Sequence, residues 1–153
     1  MKKLYNQVRT TAKLCYNFIF TNKTRILTLR VIALSAWIRL RIRFIPMSRL
    51  EKSFGIAMRE SSYEETRENL RYANLIGRRV ERVCKKTIWD SKCLVQALTA
   101  QHLLAKRNIH TTLYLGLRKE DGTMRAHAWL RCGSLRITGG YGNEHTAVST
   151  FYR

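Results

Sequence analysis

Cys93 and His127 are the two residues of this sequence whose types and surroundings could do covalent chemistry together. Cys93 follows Asp90, Ser91 and Lys92, and because Asp90 or Ser91 is a good N-cap, we expect the cysteine in the first turn of a helix. The free N–H groups and partial positive charge of a helix N-terminus favour a thiolate, and Lys92 adds to that effect. The backbone N–H of Cys93 is also a natural oxyanion donor.

His127 lies in a stretch where apolar and polar residues alternate, from Met124 to Cys132, which is typical of a strand. A histidine that reaches from a strand to a cysteine at a helix start can take the thiol proton and pass it to a leaving amine. Either residue alone is more often structural than catalytic. The order of helix with cysteine, hairpin and Ala-His-Ala-Trp strand therefore carries the prediction.

Helices are expected in the first part of the chain. Leu27, Val31, Leu34 and Ile38 recur at helical spacing, and Pro46 ends that segment. The residues from Ser61 to Glu65 resemble a capping box, which predicts a second helix running to about Lys86. The helix of Cys93 should then run to about Lys106, with Asn108 ending it.

Strands are expected after Asn108. Residues 111–117 and 124–132 alternate on either side of an Asp121-Gly122 turn, and a third short strand covers residues 135–138. Helices followed by an antiparallel meander predict an α+β fold, in which the cysteine helix packs on a small antiparallel sheet. We divide the chain into a helical, basic segment over residues 1–80 and a core over residues 81–153.

Composition limits the choice of function. The net charge of +19 indicates either an anionic partner, which could be nucleic acid, a membrane surface, an acidic peptide or an acidic protein, or basic side chains that only solvate helix faces. The cysteines have no close paired spacing, so we expect neither a disulfide framework nor a metal site, and we expect no cofactor. Unpaired cysteines, the lack of a signal peptide and the shortness of the apolar run 31–38 favour the cytoplasm.

Four blocks of the sequence resemble the lasso-peptide leader peptidases, whose core is similar to transglutaminases. The resemblance covers roughly residues 85 to 153, and its short length is like the split form of the family, which lacks a leader-binding domain. The blocks are Trp89-Asp90-Ser91-Lys92-Cys93-Leu94-Val95-Gln96-Ala97, Leu113-Tyr114-Leu115-Gly116-Leu117, Ala126-His127-Ala128-Trp129-Leu130 and Thr138-Gly139-Gly140.

The resemblance implies a cysteine peptidase (a thiol protease of the papain-like kind) that removes the leader from a ribosomally made precursor peptide. Its partners would be a separate leader-binding protein and an asparagine-synthetase-like cyclase that closes a macrolactam. Nucleic acid is not expected as a partner, and peripheral membrane contact is left open. Residues 1–80 would serve for partner docking. Cys93 would be the nucleophile and His127 its base, with Trp89, Lys92 and Trp129 near the substrate.

The sequence departs from the family at the third catalytic position. Members that carry a triad have an aspartate on the strand after the histidine, whereas residues 135–144 contain none. Asn143, Glu144 or a backbone carbonyl could orient the imidazole instead. His145 could lie near the site, although a structural role is favoured, and Trp89 and Trp129 could wall the cleft or simply pack.

Two other interpretations remain open. A non-catalytic binder of nucleic acid or of a membrane surface would explain the charge and the alternating Arg39, Arg41 and Arg43, but not the order of cysteine helix and histidine strand. An inactive transglutaminase-like scaffold would explain the missing aspartate. Acyl transfer to an amine uses the same thioester as peptide hydrolysis and also stays open.

Overall fold

Helices lead and the long strands follow in the computed structural model, which describes residues 25–140 and 145–153. The helices are α1 (Arg25–Phe44), α2 (Met47–Leu50), α3 (Arg67–Cys84) and α4 (Cys93–Ala105). The strands are β1 (Ile56–Ala57), β2 (Thr112–Glu120), β3 (Thr123–Cys132), β4 (Leu135–Thr138) and β5 (Thr146–Tyr152). The chain divides between Arg30 and Val31 into two units, of which the second, Val31–Arg153, is compact. All the features argued below lie in the second unit.

The strands form one antiparallel sheet in the order β1-β5-β2-β3-β4. The predicted hairpin between β2 and β3 is confirmed, and Asp121 and Gly122 at its tip have φ angles of 48° and 78°. Two positive φ angles in a two-residue turn match the right-handed twist of the strands that it joins. The predicted α+β class is therefore confirmed, with α4 packed on β3.

Helix α3 packs on strand β4 through a close contact at Gly77. A Cβ atom at this position would lie 2.2 Å from the carbonyl oxygen of Ile137, so only glycine allows the approach. The rest of the buried stripe of α3 comprises Ala73, Ile76, Val80, Val83 and Cys84. The helical spacing of this stripe is the pattern that predicted the helix.

The predicted capping box at residues 61–65 is wrong. Helix α3 begins at Arg67, and Thr66 is its N-cap, with the Thr66 side chain accepting from the backbone N–H of Asn69. Ser61 instead bonds to Thr112 on β2, through its backbone N–H at 2.8 Å and its hydroxyl at 2.9 Å. The serine is used for a tertiary contact, which a local pattern could not reveal.

The predicted cap of the cysteine helix is wrong as well. Helix α4 begins at Cys93, so Lys92 is its N-cap and makes no side-chain capping bond. Asp90 lies 3.7 Å from Arg39 and 3.4 Å from Lys92, and the Ser91 hydroxyl lies 2.9 Å from that of Thr87. Both expected caps are occupied by these contacts.

Strands β1 and β5 were not predicted. β5 lies between β1 and β2, and its register with β2 shifts between Leu115 and Gly116. The division at residue 80 stays a prediction. Asn143, Glu144 and Cys15 lie outside the described residues. Within the described ranges, no helix is long and apolar enough to cross a membrane.

Candidate active site

Cys93 occupies the first position of α4 and is partly accessible to solvent. The first intrahelical bond of this helix runs from Gln96 N to Lys92 O, so the N–H groups of residues 93–95 precede the helical ladder. The Lys92 side chain makes no capping bond to them. These groups are therefore available to an oxygen of a ligand placed beside the thiol.

His127 lies on β3 and is held by the backbone of the segment that follows β4. Its Nε2 lies 2.7 Å from the carbonyl oxygen of Gly139. Because a carbonyl oxygen only accepts, Nε2 is the donor, and Nδ1 of the neutral ring is left as the acceptor. The tautomer is therefore the one in which Nδ1 can take a proton.

The geometry at Gly139 depends on glycine. Its φ is 89°, and a Cβ atom there would lie 2.6 Å from the Trp129 Cβ and 2.7 Å from the Ala128 carbonyl oxygen. Strand β4 pairs with β3 only as far as Leu130, opposite Thr138, so the chain turns back beside His127 immediately afterwards. The early end of β4 thus brings this carbonyl to the imidazole.

The rings of Trp129 and Tyr114 stack beside His127 on the same face of the sheet. The Trp129 and Tyr114 rings are nearly parallel, with centroids 5.2 Å apart, and the His127 and Trp129 centroids are 6.1 Å apart. A Cβ on Gly116, the residue opposite His127 in the β2–β3 register, would lie 2.6 Å from the Trp129 ring. Trp129 is only 7% exposed, which favours packing over a role as a cleft wall.

Arg131 anchors the far end of this stack. Its guanidinium donates to the Tyr114 hydroxyl at 2.9 Å and pairs with Glu60 at 3.0 Å. It also lies 3.9 Å from the centre of the Tyr63 ring. Burial and the bond to Glu60 raise the pKa of Tyr114 to about 12, so this hydroxyl stays protonated and donates to Glu60. The ring stack thus rests on a buried polar network.

His145 is the neighbour of His127 that sequence reasoning ranked as structural. The two ring centroids are 4.9 Å apart. His145 immediately precedes β5, which sequence reasoning missed, and the pairing of Ala147 with Gly116 brings β5 alongside the register position of His127. If residues 146–152 had been recognised as a strand that pairs with β2, His145 could have been predicted to lie beside His127.

The two catalytic candidates lie on elements that contact each other, since α4 packs on β3. Within residues 25–140 and 145–153, no hydrogen bond joins the Cys93 thiol to His127. Lys92 precedes the thiol directly, is exposed and pairs with Asp90. The indole N–H of Trp89 is buried and has no hydrogen-bond partner among the described residues. The assignment of Asn143 and Glu144 stays a prediction.

The other described cysteines have surroundings unlike those of Cys93. Burial raises the pKa of the Cys84 thiol, with hydrogen bonds to Ser91 and Ser35 acting in the opposite direction. Burial also raises the pKa of Cys132 to about 11. Both thiols are therefore kept neutral, as expected of small core residues. In the described part of the chain, no group of three or more Cys, His, Asp or Glu residues could hold a metal ion.

Comparison with known proteins identifies one family. The profile described as "Transglutaminase-like superfamily" matches residues 35–151, a range that includes α4, β3 and the second half of α1. No curated protein and no solved structure matches the chain.

Proposed function

The chain belongs to the transglutaminase-like superfamily, and on that premise we propose that it is a cysteine peptidase with Cys93 as nucleophile and His127 as base. The observation that carries the proposal is the hydrogen bond from His127 Nε2 to Gly139, which leaves Nδ1 able to accept a proton. In a cysteine peptidase a third group holds the imidazole in this way. Here a main-chain carbonyl takes the part of the absent aspartate.

The reaction would proceed in two steps. His127 Nδ1 takes the thiol proton as Cys93 Sγ attacks the carbonyl carbon, and the uncapped N–H groups at the start of α4 stabilise the oxyanion. His127 then protonates the leaving amine, which departs and leaves a thioester. Water, deprotonated by the same imidazole, hydrolyses that thioester and restores the thiol. Catalytic hydrogen bonds often form fully only when substrate is bound. The mechanism is therefore compatible with a structure in which Cys93 and His127 are not hydrogen-bonded.

The substrate that the sequence blocks support is the precursor of a lasso peptide. Removal of its leader would free an amine, which a separate asparagine-synthetase-like cyclase would join to a side-chain carboxylate. The cytoplasm is the proposed location, because precursor and cyclase would both be found there. No cofactor takes part in this scheme.

The exposed face of α3 supports docking of a separate, acidic leader-binding protein. Its arginines line a shallow groove around the half-exposed Leu75, and among the described residues none of them forms an ion pair with an acidic side chain. The four arginines are Arg71, Arg78, Arg79 and Arg82. An acidic surface with a small apolar centre would complement this face in charge and in polarity. Docking would thus extend from the proposed segment 1–80 to the end of α3.

The test is cleavage of the precursor followed by mass spectrometry. The full chain is incubated with precursor and leader-binding protein, alongside a Cys93→Ala variant and a Cys84→Ala control. We expect wild type and control to release the leader and Cys93→Ala to release none, while its circular dichroism is unchanged. Full activity of Cys93→Ala would exclude the peptidase mechanism. An inert wild type would favour the scaffold, and an amine adduct on the product would favour acyl transfer.

A further inference from the structure

A small cavity lies where α1, the turn Glu51–Ser53, α4 and the end of β5 meet. Its volume is about 40 Å³, and since a buried water requires roughly 10–15 Å³, it has room for about three waters or one compact ion. It is lined by Ile38, Arg41, Leu50, Ser53, Phe54, Leu98, Gln101, His102 and Arg153. Three of these side chains can carry positive charge, and none is acidic.

Gln101 is the feature of this cavity that demands an explanation. The residue is 0% exposed, yet neither its amide oxygen nor its amide nitrogen has a hydrogen-bond partner among the described residues. A buried amide that bonds to nothing is costly, so native cores keep one only where water or a ligand completes it. Because Gln101 lines the cavity, the missing partner belongs inside it.

The charge around the cavity indicates what that partner is. Arg41 donates to the Ser53 hydroxyl at 3.2 Å, and this hydroxyl in turn donates to the Leu50 carbonyl. Arg153 is held in place by two backbone bonds to Thr111. Within the described residues, neither arginine forms an ion pair with an acidic side chain. Two guanidinium groups therefore line a cavity that has no acidic side chain in its lining, which favours an anion there.

The positive charges around the cavity also affect the titration of His102. Its pKa is lowered, first by burial and then by the positive charges of Arg153, Lys106 and Arg41. The ring is therefore neutral near pH 7 and can donate from one nitrogen without adding charge. An anion in the cavity would counter the repulsion that the guanidinium groups exert here.

We propose that this cavity binds one compact inorganic anion, of the size of chloride or phosphate. Arg41, Arg153 and the Gln101 amide N–H would donate to it. The bound anion would hold α1 and the end of β5 against α4, the helix that carries Cys93 at its other end. This site is separate from the peptidase mechanism and does not depend on it.

The test measures anion binding by the full chain. The protein is dialysed into sodium gluconate, and chloride or phosphate then replaces gluconate at constant ionic strength while the Tm is followed. Chloride binding is measured directly from the broadening of the chloride-35 NMR line. We expect a saturable rise in Tm with at least one of the two ions, because a ligand that binds only the folded state stabilises it. The two titrations show which ion is preferred.

Three variants assign the effect to the cavity. Gln101→Met keeps the side-chain size but removes both polar atoms, and Arg41→Gln removes one charge. Arg125→Gln, on the exposed surface of β3 and paired with Glu120, makes the same charge change elsewhere. We expect the first two to weaken anion affinity by about tenfold or more, since each loses a hydrogen bond to a charged ligand, and the third to leave affinity unchanged.

In gluconate buffer, the stability of Gln101→Met relative to wild type gives a second test, in which the variant is expected not to be weaker than wild type. Without a small anion, Gln101→Met should be at least as stable as wild type, because it removes an unsatisfied amide, and wild type should gain only when the anion is added. This comparison decides the question even if Arg41→Gln does not fold. No saturable response in wild type, or equal affinity in Gln101→Met and Arg125→Gln, would show that the cavity holds water alone.

Discussion

The imidazole of His127 and the carbonyl oxygen of Gly139 meet at 2.7 Å, on residues that lie twelve positions apart in the chain. A main-chain group thus orients the proposed base in the described part of the structure. Unlike a carboxylate, a carbonyl cannot be removed by mutating its own side chain. It can be displaced only by disturbing the backbone that carries it.

Gly139→Ala should displace that carbonyl. The new Cβ would meet Trp129 and Ala128 at less than 3 Å, so the turn must shift. We expect kcat for leader cleavage to fall by about 100-fold, since a shift of the order of 1 Å in a catalytic group has that effect. KM should change little, because the substrate contacts remain.

Gly140→Ala is the matched control for that variant. Gly140 also has a positive φ, of 58°, but a Cβ atom there would meet nothing within 4 Å. Both variants carry the strain of a left-handed alanine, which costs about 1–2 kcal/mol of stability. Steady-state kinetics should therefore separate them, and equal values of kcat would contradict the role given to Gly139.

Iodoacetamide should label Cys93 and spare Cys84 and Cys132 in the folded protein. The pKa of Cys132 is raised to about 11, so its thiolate fraction at pH 8 is about one in a thousand. Peptide mass mapping after timed labelling measures each site. Labelling of Cys84 or Cys132 as fast as Cys93 would contradict the assignment of the nucleophile, and Cys93→Ala shows the background rate.

The stability of the fold should fall in alkali because of Cys132. Burial favours the neutral thiol and raises its folded pKa from 9.0 to about 11, so its contribution is intact below pH 9 and is lost as the pH rises towards 11. Urea unfolding at intervals from pH 8 to pH 11 should show a steeper loss in wild type than in Cys132→Ala. Parallel curves would mean that Cys132 does not titrate with unfolding.

Arg131→Met should destabilise the fold more than other changes on β3. Its guanidinium donates six hydrogen bonds to surrounding acceptors, among them the Ser61 and Gly133 carbonyls. Removing it should lower the free energy of unfolding by about 3 kcal/mol, because buried acceptors lose their partners. The exposed Arg125→Met on the same strand should stay within about 0.5 kcal/mol of wild type in urea unfolding.

The basic face of α3 should be needed for stimulation by the leader-binding protein. A double variant, Arg78→Glu and Arg82→Glu, replaces attraction for an acidic partner by repulsion. We expect turnover of the full precursor to lose its dependence on the partner, whereas Arg49→Glu, on the exposed surface of α2, should retain it. If the double variant and Arg49→Glu depended equally on the partner, the docking surface would lie elsewhere.

Local patterns in the sequence were enough to predict the secondary structure of the elements that hold the proposed catalytic residues. Each of three features could be predicted from residues that lie within about ten positions of it in the chain. These features are the helix that begins at Cys93, the Asp121-Gly122 turn and the strand of His127. Spacing and turn chemistry act over that range. The α+β class followed from the order of these elements.

Only the tertiary structure decided what surrounds those parts. Ser61 looked like a helix cap, yet it bonds to Thr112, fifty-one residues away, because folding brings that hydroxyl to it. The partner of His127 depends on where β4 ends, and the burial of Arg131 depends on a segment some seventy residues earlier. Long-range contacts of this kind leave no periodic trace in the sequence, since they arise only when the sheet is assembled.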